Sequence, residues 1–157
     1  MKVAFWAIGK TNEKYLEQGT SIFQKRLNHY LPFEYKIFPD IRNGGKLSAK
    51  QLKIKEAQLI LQHLKNDDYL ILLDEQGKEF DSLGFAQWME RNLQRSQKRL
   101  IFLVGGAFGF DQQLYERADV KIALSKMTFS HQMVRLFFLE QLYRAMTILR
   151  NEPYHNL

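Results

Sequence analysis

Two loops and a polar tail hold the residue types that could do chemistry in this chain. Gly105-Gly106-Ala107-Phe108-Gly109 follows the apolar run Leu100 to Val104, and Ser125 to Ser130 follows a second run, Val120 to Leu124. Glycine at such a place either lets a ligand reach the backbone or serves a tight turn. The sequence is neither G-x-G-x-x-G nor a Walker loop, so the fingerprint of a phosphate cradle is missing. Asp74-Glu75, after the apolar run Tyr69 to Leu73, could hold ligand hydroxyls or simply make a turn. Asp67-Asp68, ahead of that run, reads as a solvated turn.

The four histidines, His29, His63, His131 and His155, show no metal-ligand spacing, and the chain has no cysteine. A zinc site, a thiolate nucleophile and a disulfide framework are therefore disfavoured, and no metal is expected. Ser130-His131 resembles a nucleophile beside its base. Adjacent residues seldom face each other, however, and no G-x-S-x-G surrounds them, which argues against a hydrolase. Ser130 reads instead as the cap of a helix beginning at His131.

The elements that must carry these residues are legible from periodicity. Met1 to Ile8, Phe33 to Phe38, Tyr69 to Leu73, Leu100 to Val104 and Val120 to Leu124 have the length and β-rich composition of buried strands. Between them, Glu13 to Tyr30 carries apolar residues at helical spacing. Ser48 with Gln51 forms a capping box for a helix to about Leu64, and Asp81 or Ser82 can cap another through Leu93. A short helix opens near Asp111, and Asp40 to Leu47 reads as a mobile basic loop. Alternation of this kind predicts an α/β fold: a mostly parallel sheet with helices on both faces, in one domain spanning 1–157. Three strand ends, at Leu73, Gly105 and Leu124, then meet at one sheet edge, where open α/β proteins bind ligands.

The helix from His131 to Arg150 changes its polar face midway, from His131, Gln132 and Arg135 to Glu140, Arg144 and Thr147. It needs two packing partners, and a second protomer is the expected one.

At 157 residues the chain can bury roughly 68–70% of its unfolded surface, enough for a core without staples. No apolar run suits a membrane span or a signal peptide, so the expectation is a soluble, cytoplasmic protein with no membrane partner. Net charge is +6, with clusters at Arg42, Lys46, Lys50, Lys53 and Lys55 and at Arg91, Arg95, Lys98 and Arg99. Such patches suit a polyanion or are ordinary solvated faces.

One resemblance runs through the whole chain. Leu72-Leu73-Asp74 with Gly77-Lys78, Val104-Gly105-Gly106 with Gly109, Leu124-Ser125-Lys126-Met127-Thr128-Phe129, His131, Arg135, Glu140, Tyr143-Arg144-Ala145 and Pro153-Tyr154-His155 closely resemble the ribosomal RNA large subunit methyltransferase H family of the SPOUT superfamily. The resemblance implies a C-terminal trefoil knot and a homodimer. It further implies transfer of a methyl group from S-adenosyl-L-methionine to N3 of a pseudouridine in helix 69 of 23S rRNA, on the assembled 70S ribosome. Leu73, Gly105 and the run Leu124, Ser125, Lys126, Met127, Thr128 and Phe129 are carried over as cofactor residues. Arg135, Arg144, Tyr154 and His155 are carried over on the substrate side, the last three as catalytic; which group takes the proton stays open. Ser130 departs from the family in standing where other members have proline. Two other classes compete: a non-catalytic ribosome- or RNA-binding module, and a small-molecule nucleotide enzyme, which lacks its phosphate fingerprint.

Overall fold

A computed structural model describes residues 1–156; Leu157, the end of the polar tail, lies outside the described residues. Five strands form one sheet: β1 (Lys2–Ile8), β2 (Phe33–Phe38), β3 (Asp68–Glu79), β4 (Arg99–Val104) and β5 (Val120–Ala123). Their order is β2-β1-β4-β3-β5, and every pairing is parallel. The helices are α1 (Lys14–Leu27), α2 (Ala49–His63), α3 (Ser82–Leu93), α4 (Gln112–Arg117) and α5 (Met133–Leu149).

Near-continuous apolar strands arise because both sheet faces are covered. Val3, Phe5, Ala7, Ile71, Phe102 and Val104 face a layer holding α1, α3 and α5, with the Phe138 ring tilted against Phe5 and Phe102, 4.7 Å from the centre of each. Ala4, Trp6, Leu70, Leu72, Ile101 and Leu103 face the opposite layer, where Ala57 and Ile60 of α2 and Leu114 of α4 pack. The Ser48 capping box forms as expected, with Gln51 N–H donating to Ser48 Oγ at 3.1 Å and Ser48 N–H to Gln51 Oε1 at 3.0 Å. Asp81 caps α3 and Asp111 caps α4.

Several expectations need revision. β3 does not stop at Leu73. It leaves β5 for Asp74 to Gly77 and returns, so that Leu73 and Lys78 both stand opposite Ile122. Gly77 makes this return sterically possible, since a Cβ there would lie 2.6 Å from the Ile122 nitrogen. The Asp40 to Leu47 loop holds a 3-10 turn at Gly44–Lys46. Asp68 is buried rather than solvated and receives the Arg99 guanidinium at 2.6 and 2.8 Å. Ser130 does cap, accepting Met133 N–H at 3.0 Å, but regular helix begins at Met133 rather than His131. The apolar girth of α5 is satisfied within the chain, because α5 lies between α1 and α3 on the sheet, leaving Phe137 as its exposed large apolar residue. Among the described residues, no helix is long and apolar enough to cross a membrane.

Candidate active site

The bulged stretch of β3 from Leu73 to Gln76 and the loops after β4 and β5 surround a cavity of about 870 Å³ at the carboxyl edge of the sheet. That size suits a nucleoside-sized ligand with a short extension. Leu73, Val104, Leu124, Met127 and Phe129 give it apolar walls, while Asp74, Glu75, Ser125 and Thr128 give it polar ones. Lys50 and Lys53, from the first turns of α2, stand on its rim.

The three segments are tied to one another. Asp74 accepts a hydrogen bond from the Tyr115 hydroxyl of α4 and another from Gln76 N–H at 2.9 Å, so it is both a turn residue and a cavity residue. Burial and the bond to Asp74 push the Tyr115 phenol pKa up. Thr128 donates to Glu75 at 2.5 Å, which pins the third segment onto the first. Ser125 accepts from Met127 N–H at 3.0 Å. Sequence reading had no signal for Tyr115, because it occupies an ordinary position of a short amphipathic helix.

The glycine loop is closed on itself. Gly106 and Gly109 bridge, and Gly109 takes φ +80°, a conformation glycine adopts without strain. A Cβ on Gly105 would meet the backbone of Gly109 at 3.1 Å. The absence of a side chain at Gly105 therefore serves loop closure, where the sequence had left ligand approach equally open. Behind Gly106 lies the buried Glu56 carboxyl, which burial, reinforced by Asp40, pushes up to a pKa of about 7. His131 lines the cavity, and burial together with neighbouring Arg135 holds its pKa below the ordinary value.

The expected residues thus divide. Leu73, Gly105, Leu124, Ser125, Met127, Thr128 and Phe129 come together on one cavity. Lys126 does not, because its side chain points to solvent, 3.8 Å from Glu79. Arg135 is not available to a substrate: it is fully buried and donates to the carbonyls of Ile8 at 2.9 Å, Gly9 at 2.7 Å and His131 at 3.2 Å, and to Thr11 Oγ1. It ties α5 to the end of β1. Nor does it pair with Glu140, whose partner is Arg144 at 2.5 Å. Arg144 on the second half of α5 and Tyr154 and His155 of the tail form a cluster of their own, outside this chain's cavity lining. Among the described residues, no group of three or more His, Cys, Asp or Glu side chains could hold a metal.

A family model described as "Predicted SPOUT methyltransferase" matches residues 1–155. The Ribosomal RNA large subunit methyltransferase H of Parabacteroides distasonis is 53% identical over 156 residues, covering 99% of both chains. That of Cytophaga hutchinsonii is 54% identical over 156 residues, covering 99% of this chain and all of its own. The chain belongs to the ribosomal RNA large subunit methyltransferase H family. Among solved structures, the SpoU methyltransferase AviRb of Streptomyces viridochromogenes, in complex with AdoMet, aligns at a TM-score of 0.42 and 11% identity over 96% of this chain and 61% of that one, too distant to argue from. In this methyltransferase H chain, the residues carried over for the cofactor therefore form one cavity, apart from Lys126, whereas the substrate-side tail stands elsewhere.

Proposed function

We propose that the chain transfers a methyl group from S-adenosyl-L-methionine to N3 of a pseudouridine in helix 69 of 23S rRNA, on the assembled 70S ribosome in the cytoplasm. The observation that carries this reading is the cavity shared by the β3 bulge and the loops after β4 and β5, in a chain about half identical, over nearly its whole length, to relatives called ribosomal RNA large subunit methyltransferases. Leu73, Leu124, Met127 and Phe129 would enclose an adenine, and the loop amides, Ser125 and Thr128 would meet its polar edge. The cofactor supplies a methyl group already activated on a sulfonium sulfur, so this chain's task is to hold N3 in line and stabilise the anion left when N3 loses its proton.

The site is completed by a second copy. Arg144, Tyr154 and His155 cluster away from the cavity lining of their own chain, which supports their serving the cavity of a partner in a homodimer. Exposed Tyr15 and Ile22 on α1 and Phe137 on α5 support an apolar interface on that layer. The trefoil knot belongs to the same reading, supported by family membership.

The test is transfer of labelled methyl to 70S ribosomes lacking modifications, with naked 23S rRNA alongside and mass mapping of the product. Methylation of one pseudouridine in the ribosome alone is expected. No transfer from folded, dimeric protein would leave a non-catalytic ribosome-binding module in its place.

A further inference from the structure

Glu140 organises the tail cluster. Its Oε1 accepts from Arg144 Nη2 at 2.5 Å and from the Tyr154 hydroxyl at 2.9 Å, while its Oε2 accepts from Gln141 Nε2 at 3.0 Å. Arg144 in turn lies 3.1 Å from His155 Nδ1 and 4.8 Å from the centre of the Tyr154 ring. Two substrate-side candidates are thus held by one carboxylate, and the third, His155, is held through Arg144.

The chemistry of these contacts fixes where the protons are. Arginine carries only N–H donors, so its contact with His155 Nδ1 requires a lone pair on that nitrogen, and the ring proton must reside on Nε2. His155 therefore presents an N–H. Tyr154 spends its own proton on Glu140, and burial together with that bond raises its phenol pKa, so it stands as a phenol rather than a phenolate. Glu140 already accepts from three donors. The one imidazole lone pair is thus spent on Arg144, and the lone pairs that remain, on Glu140 Oε2 and on the Tyr154 hydroxyl oxygen, belong to groups less basic than a free imidazole.

We propose that this cluster is a cradle of donors for an imide anion, in which His155 serves as a donor and not as a general base, and that Glu140 is the positioning residue that imposes this arrangement. The inference rests on the methyl-transfer reading given above. N3 of the base lies between two carbonyl groups. Its proton leaves to water, the negative charge spreads onto both carbonyl oxygens, and the His155 Nε2–H and remaining Arg144 N–H groups bind that charge. The N3 electron pair then forms the new bond to the methyl carbon, and the sulfur keeps the pair of the bond that breaks. Donors aimed at developing charge are effective because they need not reorganise during the reaction.

The first test needs no substrate. Nitrogen-15 spectra of the His155 ring in the folded dimer should show a protonated Nε2 and an unprotonated Nδ1; a proton on Nδ1 overturns the proposal. The second compares His155→Gln, which retains an N–H but no basic nitrogen, with His155→Ala. Removal of the donor should lower kcat about a hundredfold, with His155→Gln recovering at least a tenth of the wild-type rate at unchanged KM for ribosomes. Equal inactivity of the two, in protein that binds cofactor normally, restores the base. Glu140→Gln should lower kcat while KM holds and give a mixture of His155 tautomers; a wild-type tautomer in that variant removes Glu140 from the role. Absence of methyl transfer from the wild type would overturn the function reading and leave the tautomer result standing, so the two failures are distinguishable.

Discussion

The Glu56 carboxyl occupies the space that a side chain on Gly106 would need: a Cβ there would lie 2.7 Å from Glu56 Oε2. Gly106→Ala should therefore destabilise the fold by about 1 kcal/mol, the low end of what overpacking costs, because the obstacle is the end of a side chain. Removing the obstacle with Glu56→Ala in the same chain should recover part of that loss. A double-mutant cycle by urea unfolding measures the coupling; additive effects would mean that the two groups do not meet.

Glu56 also sets a pH dependence. Its folded pKa of about 7 lies above the ordinary carboxylate value, so its proton is held more tightly in the folded state. The associated stability is fully present below about pH 4.5 and is lost as pH rises through 7. Glu56→Gln should flatten this decline between pH 5 and 8, leaving the variant more stable than wild type at pH 8 by at most about 3 kcal/mol. Melting temperatures across that range provide the check, with parallel wild-type and variant curves counting against it.

Asp68 acts in the opposite direction. Burial alone would raise its pKa, but hydrogen bonds from Arg99 and from Lys65 N–H outweigh burial and lower it. Its contribution is present above the unfolded carboxylate range and is lost on acidification through the depressed folded value. Asp68→Ala strands the Arg99 charge between β3 and β4 and should cost about 3 kcal/mol at pH 7, read from denaturant midpoints, with a loss under 1 kcal/mol contradicting it.

Gly77→Ala should injure the cavity more than the core. The added carbon would meet the Lys121 and Ile122 backbone at 2.6 Å, and backbone cannot step aside as a side chain can. The return of β3 onto β5 should open, carrying with it Glu75 and the Thr128 bond. Calorimetry should show S-adenosylmethionine affinity falling at least tenfold while far-ultraviolet circular dichroism is retained; normal affinity would show that the return is dispensable.

Mixing two defective chains tests the shared site. A chain carrying Arg144→Ala and a chain carrying Gly77→Ala should each be inactive as homodimers. Their heterodimer contains one intact cavity facing one intact tail and should regain up to about half of the wild-type activity per dimer. No recovery from a demonstrated heterodimer would place cavity and tail on the same subunit.

The sheet edge was legible in the sequence because its information is local. Apolar runs that end at Leu73, Val104 and Leu124 mark where the chain reaches the cavity, and Ser48 with Gln51 marks a helix start, without reference to anything distant. What escaped was long-range. Arg135 looks like a substrate arginine until the chain brings Ile8 and Gly9 to it, and those acceptors are backbone carbonyls, which leave no mark on residue types. Asp68 looks solvated until Arg99 arrives from the neighbouring strand. The polar run Asp74 to Lys78 reads as a turn, and only Ile122 across from Lys78 makes it part of a strand. Gly105 was ambiguous because the atom that decides its role, the Gly109 carbonyl carbon, lies across a turn whose shape the sequence does not state.

β5 has four residues, yet it closes the edge of the sheet and receives both halves of β3. Synthesis from the N-terminus therefore lays down most of the core before any binding site exists. A chain halted ahead of Val120 lacks the partner for Lys78 and the loop that supplies Leu124 to Phe129. Because a ligand stabilises only the state that binds it, the methyl donor would act as an inspector of finished molecules, protecting full-length copies from proteolysis and leaving truncated ones exposed to it.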